Sequence, residues 1–136
     1  MRIAIDIMGT DHGPKELVLG AVNAVKKYDC EVVLVGDEEV AKAWLGKYNA
    51  LDNQRIKIQH ASQVINMDEH PAIAVKSKKD ASIVVASKML RAGECDALVS
   101  AGSTGAASVA AVLCVGRIKG VERPAIATPF PNQKGT

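Results

Sequence analysis

With 136 residues, 48% of them hydrophobic and 24% charged, the chain has the material for one packed core and is neither disordered nor of low complexity. A formal charge of +2, basic residues scattered apart from Lys76, Lys78 and Lys79, and aromatics limited to Tyr28, Trp44, Tyr48 and Phe130 argue against a nucleic-acid partner. The odd number of cysteines (Cys30, Cys95, Cys114) lacks any close metal-ligand spacing, so they read as reduced thiols of a cytoplasmic protein with no metal site.

The run 2–7 is apolar and β-branched and predicts a strand that ends at Met8-Gly9-Thr10. Pro14 then opens a helix over 14–27, with Leu17, Val18, Ala21, Val22 and Val25 on one buried face. A second strand follows over 31–36 and a second helix over 37–47, burying Val40, Ala41, Trp44 and Leu45. Residues 55–60 alternate Ile56 and Ile58 with Lys57 and Gln59, the pattern of a strand near a sheet edge.

The segment 66–79 is weakly patterned, with Pro71 as a helix opener. Asp80 is expected to cap a helix to about residue 91, carrying Ala81, Val85 and Met89 in register. A strand over 97–101, a helix over 103–117 and a short strand over 125–128 complete the series. Strands alternating with helices imply a parallel sheet covered on both faces, in one domain over 1–136. The uncharged stretch 97–116 is long enough to span a bilayer on length alone, but its serines, threonine and glycines make it strand, turn and buried helix. Because that helix is apolar all round, it should lie between the sheet and another partner, either further chain or a second subunit.

In a parallel α/β sheet the loops that follow strands carry the ligand. The first candidate is Asp6 with the loop Met8-Gly9-Thr10-Asp11-His12-Gly13, where Asp11 or His12 has the chemistry to move a proton or orient a substrate; alternatively Asp6 and Asp11 fix the loop. The second is Gly102-Ser103-Thr104-Gly105, a turn that offers helix-start amides and hydroxyls to an anion such as phosphate; alternatively Ser103 caps the helix and the glycines permit packing. Lys78 and Lys79 are either anion contacts or a solvated charge run, and Arg123 likewise. His60 and His70 have no partner spacing. A Walker lysine motif and a GxGxxG loop are absent, against ATP and NAD as cofactors.

The run Asp6-Ile7-Met8-Gly9-Thr10-Asp11-His12-Gly13-Pro14 resembles the DxMGGDxAP opening of the bacterial phosphate acyltransferases of the PlsX family. In the same order follow Val35-Gly36-Asp37-Glu38, Met67-Asp68-Glu69-His70-Pro71 with Lys78-Lys79-Asp80-Ala81-Ser82, Val99 to Ala106, and Arg123 to Pro129. Thr10 and Gly13 stand where the family usually has glycine and alanine, and Ser103 where asparagine is usual. Family members are more than twice as long, so the resemblance covers their N-terminal part.

The resemblance implies a three-layer α/β/α fold similar to isocitrate dehydrogenases and phosphate acetyltransferases. It implies transfer of a long-chain acyl group from acyl carrier protein to inorganic phosphate, giving acyl-phosphate for phospholipid synthesis, by a dimeric cytoplasmic protein that associates peripherally with the inner membrane face and needs no cofactor. Gly102, Ser103, Thr104 and Gly105 are then expected to hold phosphate, with Gly9, Ser100, Lys78 and Lys79 as further phosphate or substrate contacts, and Asp11, His12 and Asp6 as the catalytic loop. Two other readings stand beside it: a phosphate acetyltransferase-like enzyme using coenzyme A, and a non-catalytic phosphate-binding module.

Overall fold

In the computed structural model, which describes residues 1–122 and 124–131, the β-branched runs form a four-stranded, all-parallel sheet. Its strands are β1 (Arg2–Asp6), β2 (Glu31–Gly36), β3 (Ile56–His60) and β4 (Ala97–Ser100), in spatial order β3-β2-β1-β4. The chain therefore steps outward from β1 to β3 and then returns to the other side of β1. Parallel neighbours cannot be joined by a hairpin, so helices make the crossovers and cover the faces.

On one face lie α1 (Pro14–Lys27) and α2 (Glu38–Lys47). Their Val18, Ala21, Val22, Val25, Ala41 and Leu45 pack with Ile7, Val32 and Leu34 in one buried cluster. Pro14 sits at the start of α1, Glu16 in its first turn and Lys26 and Lys27 in its last, each suited to the helix dipole. Asp37 caps α2, its carboxylate accepting from the Val40 amide at 2.9 Å. Burial of each branched side chain contributes about 1.5–3 kcal/mol, which is why the helix stripe and the strand run must agree in register.

The opposite face carries α3 (Pro71–Ser77), α4 (Ser82–Ala92) and α5 (Thr104–Ala110). α4 packs on β1, β2 and β4 and so lies over the middle of the sheet. This central position widens its buried face beyond the expected stripe: Ser82, Ile83, Val84, Ala86 and Ser87 are buried, whereas Val85 and Met89 are only partly so. The result is three layers, α/β/α.

Three expectations are corrected. Asp80 does not cap α4; its carboxylate accepts from both the amide and the hydroxyl of Ser62, at 2.8 and 2.5 Å, and Ala81 occupies the cap position. The helix expected over 103–117 is α-helical only to Ala110, continues as one π-helical turn over Ala111–Val115, and leaves Leu113 half-exposed while Ala106 and Ala110 are buried. Residues 125–128 form no strand: Ile126 is exposed and no sheet neighbour pairs with the segment among the described residues, so its backbone has no ladder to join. β3 lies at a sheet edge as the alternation predicts.

Candidate functional site

The strand order reverses between β1 and β4, and the loops leaving their carboxyl ends run to opposite faces of the sheet. A crevice opens where such a reversal occurs, and that is where open α/β sheets bind ligands. At this point Asp6 and Ser100 are register partners on the last rung of the β1–β4 ladder. Side chains on the same rung of adjacent strands project side by side. The Ser100 hydroxyl donates to Asp6 Oδ2 at 2.8 Å and accepts from the Gly102 amide at 3.2 Å.

Asp6 is 3% exposed. Its Oδ1 accepts from the Met8 amide at 3.2 Å, and Ser82 is buried at the start of α4. Burial raises its pKa above the ordinary carboxylate value, and the hydrogen bonds from Ser82, Ser100 and Met8 offset that only in part. A carboxyl whose pKa is raised by folding binds more protons in the native than in the unfolded chain between the two values. Stability therefore falls as pH rises through that interval. Asp6→Asn is expected to remove this acid-range slope, measured as denaturant midpoints across pH; parallel profiles for the two proteins would assign the slope elsewhere.

The β1–α1 loop is folded by its own residues. Gly9 has φ +68°, and a Cβ there would stand 2.9 Å from the Ile65 carbonyl oxygen. Thr10 Oγ1 donates to the Gly13 carbonyl at 3.1 Å and closes the turn before α1. Asp11 and His12 are exposed at its tip, with no side-chain hydrogen bond among the described residues.

The β4–α5 turn leans directly on this loop. A Cβ at Gly102 would lie 3.3 Å from the Gly9 carbonyl oxygen and 3.5 Å from that of Met8. Ser103 caps α5, its hydroxyl accepting from the Ala106 amide at 3.3 Å. With the Gly102 amide bonded to Ser100 and those of Ala106 and Ala107 to Ser103, the amides left without a partner among the described residues are those of Ser103, Thr104 and Gly105. Consecutive unpaired amides at a helix start carry partial positive charge toward an anion. Gly105 also lets α5 approach α3, since a Cβ there would meet Pro71 Cγ at 2.7 Å.

The lysines divide. Lys78 Nζ donates to Glu69 Oε1 at 2.6 Å and to the Val64 carbonyl at 2.7 Å, so its charge braces the segment that floors Gly9. The Asn66 amide, and after it the Lys78 ammonium, hold the Glu69 carboxyl below the ordinary range. Lys79 is exposed. The structure thus brings Asp6, Gly9, Ser100 and the turn 102–105 together, ties Lys78 to the supporting segment, and leaves Asp11 and His12 at the rim. Ser82 and Glu69 also belong to this neighbourhood; both stand in the motifs shared with the family, but neither carries a site role in the sequence-based expectations. Ser82 stands in the motif 78–82, but no local spacing ties it to Asp6, and the spacing of Glu69 and Lys78, nine residues apart, matches no helical or strand period. Among the described residues, no group of three or more His, Cys, Asp or Glu side chains is placed to hold a metal ion.

An all-parallel α/β/α sheet with a buried carboxylate and a glycine turn at its strand reversal defines a doubly wound α/β protein. The family model described as "Fatty acid synthesis protein" matches residues 1–136, and the chain belongs to that family. It is 55% identical to a phosphate acyltransferase of Pelotomaculum thermopropionicum over 99% of this chain and 39% of that protein. It is 53% identical to one of Desulfitobacterium hafniense and 50% identical to one of Elusimicrobium minutum, each over 99% of this chain and 40% of the relative. The chain thus spans about two fifths of the length of these relatives. No helix among the described residues is long and apolar enough to cross a membrane.

Proposed function

We propose that residues 1–136 form the N-terminal domain of an acyltransferase that moves a long-chain acyl group from acyl carrier protein to inorganic phosphate. The product is acyl-phosphate, a precursor for phospholipid synthesis, and the enzyme works as a cytoplasmic homodimer that reaches the membrane surface only peripherally. The observation that carries the reading is the set of amides at Ser103, Thr104 and Gly105, unpartnered among the described residues and held against the β1–α1 loop at the strand reversal. The names of its relatives support the same chemistry.

Phosphate seated on those amides and on the Thr104 hydroxyl presents one oxygen to the thioester carbonyl. A bond forms from that oxygen to the acyl carbon, the carbon–sulfur bond breaks, and the proton of the monohydrogen phosphate ends on the carrier thiol. Phosphate dianion is nucleophilic near neutral pH, so holding and orienting it matters more than a strong base. His12, exposed at the rim with Asp11, relays the proton from phosphate to the departing sulfur.

The test is direct: the complete gene product is incubated with acyl-carrier-protein thioester with and without inorganic phosphate, and acyl-phosphate is assayed. Phosphate-dependent product is expected. Product only with coenzyme A as acceptor would favour the acetyltransferase-like alternative, and no acyl transfer would leave a binding module. In the same assay His12→Ala is expected to lower turnover about 10²-fold, a typical loss for a proton-transfer group. Its exposure keeps the stability change within about 0.5 kcal/mol. Unaltered kinetics would make His12 a loop residue.

A further inference from the structure

Asp6 is buried and accepts hydrogen bonds from two different elements: the β1–α1 loop through the Met8 amide and β4 through the Ser100 hydroxyl. Of the two donors, Ser100 passes the interaction on among the described residues. Its hydroxyl has one proton, committed to Asp6, and that commitment turns its lone pairs toward the Gly102 amide. A hydroxyl without the carboxylate beside it is free to rotate and to donate elsewhere.

We propose that Ser100 is a positioning residue that couples the buried Asp6 carboxylate to the Gly102 amide and so sets where the amides of residues 103–105 point. The inference rests on the reading of this turn as the phosphate site. The chemistry is specific. An anionic acceptor fixes the rotor of Ser100, the oriented oxygen fixes the peptide that precedes Ser103, and the following amides are held in advance of the ligand at no cost when it binds. The Gly102 amide is thereby removed from the set that contacts phosphate. Asp6 acts at one remove, through a pair that shares a rung of the sheet although the residues are 94 positions apart in sequence.

The experiment compares Ser100→Ala, Ser100→Thr, Asp6→Asn and the double variant D6N/S100A in the complete gene product. Two quantities are read: KM for phosphate against KM for the acyl thioester, and hydrogen exchange of the Gly102 amide. S100A and D6N are each expected to raise the phosphate KM about tenfold, the scale of one lost charge-assisted hydrogen bond, with little change in the thioester KM. S100T keeps the hydroxyl and is expected to restore the wild-type value. The double variant is expected to be no worse than the poorer single variant, because both break the same chain of bonds.

Additive effects, or a large S100A effect with D6N silent, would overturn the coupling and make Ser100 a direct phosphate contact. If D6N does not fold, the contrast between S100A and S100T decides. If the wild-type protein consumes no thioester with phosphate, the functional reading fails, and Gly102 exchange alone judges the coupling. Faster exchange in S100A and D6N then upholds it, and unchanged exchange overturns it.

Discussion

Replacing Gly9 with valine is expected to destabilise the domain by roughly 2–5 kcal/mol, a large part of the stability of a typical domain. Two costs add. The backbone at Gly9 has φ +68°, where an L-residue with a β-branched side chain is strained by about 1–2 kcal/mol. The new Cβ would also stand 2.9 Å from the Ile65 carbonyl oxygen, and a backbone atom cannot swing aside as a side chain can. Relief requires the segment at Ile65, held by Lys78 and Glu69, to separate from the β1–α1 loop. Gly20 is the control: it sits in α1 with nothing within 4 Å of where a methyl group would stand, so Gly20→Ala should gain about 0.5–1 kcal/mol. Denaturant unfolding of the two variants measures the contrast, and equal midpoints would show that the Gly9 contact has no energetic weight.

The sheet was largely legible because a parallel α/β protein repeats one signal: a β-branched run, a turn, then an apolar stripe at helical spacing. The predicted helix over 14–27 coincides with α1, and the alternation at Ile56 and Ile58 places β3 at an edge. What failed needed knowledge of neighbours. Residues 125–128 have strand composition but no ladder, and α4 buries two serines because it lies centrally on the sheet. The same distinction runs through the site. Glycine density marked both loops, since a close approach of backbones leaves few other residues possible. The partnership of Asp6 with Ser100 was invisible, because register across distant strands is a property of the assembled sheet and not of any local spacing. Lys78 shows the reverse case: a basic cluster in the sequence suggested an anion contact, while the structure engages that ammonium with Glu69 and the Val64 carbonyl.

Gly102→Val is expected to abolish stabilisation by phosphate while the sheet stays folded. Gly102 does not have a left-handed backbone, so the penalty is one of space. A Cβ at 3.3 Å from the Gly9 carbonyl oxygen is nearly tolerable, and Gly102→Ala should shift the turn by only a few tenths of an ångström. The branched methyls of valine have no such room, and they push the β4–α5 turn away from the β1–α1 loop. The Ser100 bond to the Gly102 amide, 3.2 Å in the folded protein, is then stretched, and the amides of residues 103–105 lose their common direction. Stability in the absence of phosphate should fall by only about 1–3 kcal/mol, because the turn lies at the rim of the core. If phosphate binds at this turn as proposed, a hundredfold excess over its dissociation constant is expected to stabilise the wild-type protein by about 2.7 kcal/mol, and this gain should vanish in the valine variant. Thermal unfolding with and without phosphate separates the two effects. A folded G102V that keeps the full phosphate shift would remove this turn from the phosphate site and send the search to the exposed tip at Asp11 and His12.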